Sequence, residues 1–458
     1  MKHMKKRCRS IAGLILAFAV LWTALLSVPA GAEVLQDCHR VTNSYKDTKA
    51  KNISVVRLWH AETALESVNS EINGIAEAWA EELGPGLPKA INTADGNSRL
   101  DVEIRYSRTG LRWMSFMVQA RTIFHRELTG QRFTTRTYNM VTGERITLEQ
   151  IFDDDLNTWH FLANRVREKL TEYWPGEEPD AGELERICSR EALAEAEFTL
   201  HGMSLVLHYP ASLLYEGKNT LMEVPFYYPE IRSMMQEEAR QETDNLSYYK
   251  TVALTFDDGP RNPNSALVLD ALMEKGIRAT FFCIGNLVKK AYWIVQREHD
   301  AGHAVASHNW THDDSRKISA KTLRAMPEKV NKVMNETIGI PVRYDRAPGG
   351  LYPPMQKAGV EWAFIQWSLD TYDWRGRSPA AVLSSVKKKI ADGDIILCHD
   401  IKEYAPKSTR SIVKYLEEQG YMFLTVDELF AKDGVTLENG QVYFRCVNGD
   451  TSKKPGGT

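Results

Sequence analysis

The sequence predicts an α/β protein: a parallel β/α domain over residues 250–446, preceded by a smaller α+β domain over residues 33–240. Three observations carry this. From Lys250 onward, short apolar runs alternate with helical stretches at the spacing of β/α units. Before Arg240, strands and helices fall in separate blocks instead. A polar, charged stretch from Gln236 to Tyr249 lies between the two textures, and residues 241–249 read as the linker.

Taken in order, the chain opens with a basic cluster (Lys2, Lys5, Lys6, Arg7, Arg9) and a low-charge apolar run from Ile11 to Val28. Pro29 and the small residues Ala30-Gly31-Ala32 follow. That is the pattern of a secretory signal over residues 1–32, cut after Ala32, and it points to a secreted or wall-associated, extracytoplasmic protein. An uncleaved membrane anchor is the alternative reading of the same run. Ala61 to Leu83 and Leu156 to Tyr173 have helical periodicity. Arg99–Tyr106 alternates as a half-buried strand should, and Phe116–Ile123, Phe133–Tyr138, Leu205–Tyr209 and Leu221–Phe226 read as further strands. In the second domain the expected strands are Val252–Phe256, Ala279–Ile284, Ala304–Ser307, Val342–Arg346, Trp362–Trp367, Asp394–Leu397 and Met422–Thr425. Helices fall between them, for example over 265–275, 323–339 and 409–419. Residues 447–458 read as a disordered tail.

Composition excludes little. With 458 residues, 43% hydrophobic and 26% charged, the chain is ordinary globular protein. A net charge of -3 and the lack of basic runs beyond the N-terminus give no reason to expect nucleic acid. Of six cysteines, five remain once Cys8 leaves with the signal, so they cannot all pair. Cys283 and Cys398 sit in apolar strand-like runs and read as buried thiols; Cys38 and Cys188 could bridge.

In parallel β/α folds the chemistry sits at the carboxyl ends of the strands. Asp257, Asp258, His308, Arg346, Asp370 and His399 all fall at or just past such ends. Adjacent carboxylates at Asp257-Asp258 repel unless solvated or set beside a cation. His308 and His312 have the four-residue spacing that lets two imidazoles face one metal. One aspartate with two neutral imidazoles suits a zinc-like divalent ion with a position left for water. Each piece alone has a plain reading: a turn at Asp257–Pro260, core or surface histidines, a salt-bridging arginine, a core tryptophan at 374. His125, His201 and His303 read as structural.

The blocks Thr255-Phe256-Asp257-Asp258-Gly259-Pro260, His308 to His312, Arg346-Ala347-Pro348-Gly349-Gly350, Asp370-Thr371-Tyr372-Asp373-Trp374 and Ile396-Leu397-Cys398-His399-Asp400 occur in that order. Together they resemble the five motifs of the NodB-type polysaccharide deacetylases, carbohydrate esterase family four. The resemblance implies a distorted (β/α) barrel catalytic domain and a metal-dependent deacetylase. It implies that Asp258, His308 and His312 hold the metal, zinc first with cobalt or another divalent ion open. Asp257 would be the general base, His399 the general acid, and Arg346 a bidentate partner holding Asp257. Asp373 would balance charge and orient Arg346. Trp374 and Leu397 would wall a pocket for the acetyl methyl, and the N–H of Gly349 would help bind the oxyanion. Gly349 departs from the family, which usually has an aromatic there.

Tyr138 to Phe152 resembles a domain that accompanies some bacterial peptidoglycan deacetylases and occurs in a lysozyme-binding anti-sigma factor. That pairing favours N-deacetylation of peptidoglycan and suggests wall or lysozyme binding by the first domain. The rival expectations are an O-deacetylase of xylan or another acetylated glycan, and a wall- or lysozyme-binding sensor with an idle catalytic domain.

Overall fold

The computed structural model describes residues 40–48, 51–60, 63–83, 99–110, 112–124, 127–244, 250–352 and 359–453. The signal segment at 1–32 and the partner suggested for Cys188, Cys38, lie outside them. Among the described residues no helix is long and apolar enough to cross a membrane.

The first sheet contains β1 (Arg40–Thr48), β2 (Lys51–His60), β3 (Thr63–Ala64), β4 (Arg99–Thr109), β5 (Trp113–Phe124), β6 (Glu127–Asn139) and β7 (Arg145–Ile146). They are ordered β1-β2-β4-β5-β6-β7, with β3 beside β2. Alternation in β4 sends Leu100, Val102 and Ile104 to one face, where they pack with Val68, Ile72 and Ala76 of the helix Glu66–Leu83. That helix begins after Ala64, which pairs in β3, later than the periodicity from Ala61 suggests.

The other face of β4 carries Asp101 and Glu103, and it is not solvated. Glu103 is 2% exposed and holds both Arg121 of β5, at 2.6 Å, and Arg297 of the second domain, at 2.8 Å. The alternation expected of a half-buried strand therefore separates an apolar core face from a charged face that docks on the helix Tyr292–Asp300. The Glu103 charge survives burial there because two arginines oppose it.

A second, antiparallel sheet contains β8 (Phe198–Leu200), β9 (Ser204–Pro210) and β10 (Leu221–Tyr227) and packs with the helix Leu156–Thr171. The polar stretch read as a linker is partly helical, over Glu237–Asp244. Ala239 is fully buried, and Glu242 takes Arg112 at 2.5 Å.

The third sheet contains β11 (Lys250–Asp257), β12 (Thr280–Cys283), β13 (Ala304–Ser307), β14 (Tyr344–Asp345), β15 (Ala363–Ile365), β16 (Leu369–Asp370), β17 (Asp394–His399), β18 (Tyr421–Leu424) and β19 (Val442–Tyr443). The order is β16-β17-β11-β12-β13-β14-β15-β19, and β18 pairs with the start of β11. Every pairing is parallel. The result is a curled, open parallel sheet wrapped by helices, the distorted (β/α) barrel. Val252, Leu254 and Phe256 of β11 face one apolar cluster, and Ala253 faces another, which is why the run is continuously apolar. The distortion lies in β14, β16 and β19, which pair over two residues each.

The helix Met326–Ile338 ends at Gly339, φ +83°, where an added Cβ would lie 2.7 Å from the Trp174 ring of the first domain. Cys188, Cys283 and Cys398 are buried, and none is bonded to another cysteine among the described residues.

Candidate metal centre

Parallel pairing brings all the carboxyl ends of the third sheet to one rim. Asp257 closes β11 directly opposite His399, which closes β17. Asp258 follows with φ +78°, a left-handed conformation that a non-glycine residue adopts only under constraint. The turn separates the two carboxylates. Asp257 Oδ1 goes to Arg346, while Asp258 Oδ1 goes to the histidines.

His308 stands just past β13, and its Nδ1 lies 2.7 Å from the Arg346 carbonyl. A carbonyl can only accept, so Nδ1 carries a hydrogen, and in the neutral ring Nε2 presents a lone pair. That Nε2 lies 3.4 Å from Asp258 Oδ1, and His312 Nε2 lies 3.2 Å from the same oxygen. His308 is 1% exposed, whereas the His312 side chain is half exposed. Asn309, at φ +66°, bends the chain between them. The four-residue spacing therefore works through a loop rather than along a helix face.

These residues fit a divalent cation. Asp258 Oδ1 is buried and receives no hydrogen bond. A carboxylate oxygen facing the lone pair of a neutral imidazole across 3.4 Å is repulsive unless a proton or a metal cation lies between them. Two ligands on a tetrahedral ion with bonds of about 2.1 Å are about 3.4 Å apart, close to the spacing seen here. The three ligand atoms all lie within 4.8 Å of one another. Burial pushes the Asp258 carboxyl up, but His308 and His312 outweigh it and hold it well below the usual range. Burial likewise opposes the charged form of His308, yet Asp257 and Asp258 raise it overall.

Arg346 is fully buried. Its Nε donates to the Ile365 carbonyl (3.0 Å) and its Nη2 to the Gln366 carbonyl (3.1 Å). Only Nη1 is left for Asp257 Oδ1, at 2.8 Å, and it also reaches Thr255 Oγ1 at 2.7 Å. The expected bidentate fork is thus a single-nitrogen contact, with Nε and Nη2 turned to the end of β15 and the residue after it.

Asp373 corrects a second expectation: it serves His399, not Arg346. Its Oδ1 lies 2.7 Å from His399 Nδ1, and its Oδ2 accepts the His399 backbone N–H at 2.8 Å. Tyr404 donates its hydroxyl to the Asp373 carbonyl. Burial works against the imidazolium, but Asp373 dominates and raises His399 to about 9. Leu397 is buried inside β17, two residues before His399. Trp374 is 47% exposed, so the plain reading of it as core does not hold; its Nε1 donates to Asp370 Oδ2 at 3.3 Å. Gly349 sits three residues beyond Arg346 at φ +62°.

A supporting network was not visible in the sequence. Asp345 Oδ1 accepts from Ser307 Oγ (2.6 Å) and from the Asn309 N–H (3.0 Å), one residue on either side of His308. Burial pushes Asp345 up to about 6. Only the register that sets Ser307 against Asp345 brings these residues together.

Residues 247–360 match the polysaccharide deacetylase family model. The peptidoglycan-N-acetylglucosamine deacetylase PgdA of Listeria monocytogenes is 30% identical over 305 residues, 66% of this chain and 65% of that protein. The chain thus spans a little under two thirds of that relative's length. A peptidoglycan-N-acetylglucosamine deacetylase of Bacillus cereus is 30% identical over 39% of this chain and 88% of that protein. A bifunctional xylanase/deacetylase of Pseudobutyrivibrio xylanivorans is 36% identical over 42% of this chain and 32% of that protein. A solved family 4 acetyl xylan esterase from Clostridium thermocellum, in complex with cobalt, is 30% identical over 43% of this chain and 98% of that one, with a TM-score of 0.41. On the family-model match and the 30% identity across 88% of the Bacillus cereus protein, the chain belongs to the polysaccharide deacetylase family.

Proposed function

We propose that the chain is a metal-dependent N-deacetylase that hydrolyses the acetamide of N-acetylated amino sugars in peptidoglycan, releasing acetate and leaving a free amine. The observation that carries this is the buried, donor-free oxygen of Asp258 facing two imidazole nitrogens. Asp258, His308 and His312 would hold the divalent ion, zinc first with cobalt an equal fit by donor type, and it would supply Lewis acidity toward water and the acetyl oxygen.

The remaining steps fall to the chain's own residues. Asp257, kept in place by Arg346, takes the proton of the attacking water. The Gly349 N–H adds a hydrogen bond to the oxygen that gains charge. His399, made a stronger base by Asp373, enters the cycle protonated and gives its proton to the departing nitrogen as the C–N bond breaks. Leu397 and Trp374 wall the space for the acetyl methyl. A carboxylate base and an imidazolium acid on adjacent parallel strands, β11 and β17, suit one substrate bond lying between them.

The substrate assignment draws on the relatives named for peptidoglycan and on the N-terminal resemblance. It places the enzyme outside the cytoplasm, exported by residues 1–32, with the first domain touching the wall or lysozyme. The test is metal analysis of the purified protein together with mass spectrometry of digested wall fragments. Asp258→Ala and His308→Ala should each lose both metal and acetate release; full release by either variant defeats the proposal. The 36% identity to the xylanase/deacetylase keeps ester hydrolysis as a second reading. Loss of His399 should spare an ester substrate more than an amide, because an alkoxide needs less proton assistance than an amine.

A further inference from the structure

Asp345 and Arg346 grip the chain on both sides of His308. Asp345 lies opposite Ser307 in the sheet, and its Oδ1 accepts from Ser307 Oγ at 2.6 Å and from the Asn309 N–H at 3.0 Å. The same N–H lies 3.1 Å from Ser307 Oγ, so the three groups close a triangle. The Arg346 N–H donates to the Ser307 carbonyl at 2.9 Å, and the Arg346 carbonyl accepts from His308 Nδ1 at 2.7 Å. The His308 N–H goes to the Cys283 carbonyl at 2.8 Å. Ser307, Asn309 and Asp345 are buried, so solvent does not stand in for a lost bond.

Asn309 has φ +66°, a left-handed bend that a non-glycine residue keeps where its surroundings impose it. The bend decides where the chain goes next. Beyond it the Asn309 and Trp310 carbonyls accept the N–H groups of Gly285 and Asn286, at 2.9 and 3.0 Å. Asn309 Nδ2 reaches Ser315 Oγ at 2.8 Å. His312, with a half-exposed side chain, then returns to within 3.2 Å of Asp258 Oδ1. One oxygen of Asp345 thus holds the residue before buried His308 and the residue after it, where the bend toward His312 starts. We propose that Asp345 is a positioning residue of the metal centre: acting through Ser307 and Asn309, it sets the affinity for the ion by fixing the directions from which His308 and His312 meet Asp258. The inference rests on the reading of Asp258, His308 and His312 as holders of a divalent ion and deepens it. Side chains that orient metal ligands from behind govern affinity without touching the ion.

The experiment measures zinc affinity of the full chain by competition with a chromophoric chelator, and the visible spectrum of the cobalt-loaded protein. Urea denaturation in excess chelator records the stability of each variant without the ion. Asp345→Ala should weaken zinc binding by about 10–100-fold and alter the cobalt spectrum, whereas Asp345→Asn, which keeps an acceptor oxygen, should stay within about three-fold of wild type. Ser307→Ala should weaken binding less, and adding it to Asp345→Ala should change little, because both break the same triangle. A merely structural role would lower the urea midpoint and leave the zinc affinity and cobalt spectrum of the folded variant unmoved; that result overturns the inference. Equal losses in Asp345→Asn and Asp345→Ala also overturn it, since they assign the effect to charge and not to the held bonds. Should Asp345→Ala fail to fold, Ser307→Ala decides: weaker zinc binding with an altered cobalt spectrum supports the inference, and wild-type binding overturns it. A wild-type chain that takes up neither zinc nor cobalt defeats the metal-centre reading and this inference with it, whereas variants that bind as wild type does defeat this inference alone.

Discussion

Replacing Arg346 by methionine keeps the length of the side chain and removes its charge and every donor. Arg346 is fully buried, and Asp257, 3% exposed, depends on it as its cationic partner. The variant strands a carboxylate where water cannot reach it, which costs about 3–5 kcal/mol. The carbonyls of Ile365 and Gln366 lose their side-chain donors as well. Against a typical domain stability of about 5–15 kcal/mol, the loss should be visible as a large drop in the urea midpoint. The diagnostic variant is the double one, Asp257→Asn/Arg346→Met. It removes the stranded charge and should recover about 2–3 kcal/mol of the loss. Burial lowers Arg346 from its usual range in spite of Asp257, so desolvation is a genuine opposing contribution here and the pair is not simply attractive. The assay is urea denaturation followed by tryptophan fluorescence, with chelator present so that no bound ion offsets the exposed charge. Recovery of stability without recovery of acetate release would separate Arg346's holding role from Asp257's role as base. A double variant no more stable than Arg346→Met would refute the reasoning.

Further outcomes are expected. A group raised in the folded state stabilises below its unfolded pKa and loses that contribution as pH climbs through the folded one. With His399 raised to about 9, Asp373→Asn should therefore destabilise most near pH 6 and least near pH 10, and denaturation at the two pH values checks this. The same variant should shift the alkaline limb of the activity profile to lower pH. Zinc at about a hundred times its dissociation constant should stabilise the wild type by about 2.7 kcal/mol and Asp258→Asn hardly at all, read from melts with and without chelator. Gly349→Tyr should destabilise the protein by about 1–2 kcal/mol, read as a lower denaturation midpoint, since the residue has φ +62° although an added Cβ would meet only Leu351, at an ordinary contact distance of 3.6 Å. Cys283 and Cys398 should resist a thiol reagent until the protein unfolds, because burial pushes both thiols well above their usual range.

The parts of the site that the sequence exposes are those written locally. Asp257-Asp258 stands at the end of an apolar run, His308 and His312 are four residues apart, and His399 ends another run; parallel β/α order then implies a common rim. What stays hidden depends on who lies across the sheet. The Asp residues at 258, 345, 373 and 400 are one chemical type, yet they differ completely in state. Asp258 is depressed by two imidazoles, Asp345 is raised to about 6 by burial, and Asp400 is raised by burial to about 7. Asp373 is committed to His399. The sequence assigns Asp373 to Arg346 because both belong to the same set of motifs; the structure assigns it to His399 because β16 pairs with β17 and delivers residues 370–373 beside the end of that strand. The charged face of β4 is hidden for the same reason. Its alternation is local, but the arginine that meets Glu103 is 194 residues away, so periodicity reports two unlike faces and cannot report that both are covered. Residue type and spacing thus disclose which groups can do chemistry, while strand pairing decides which of them act on one another.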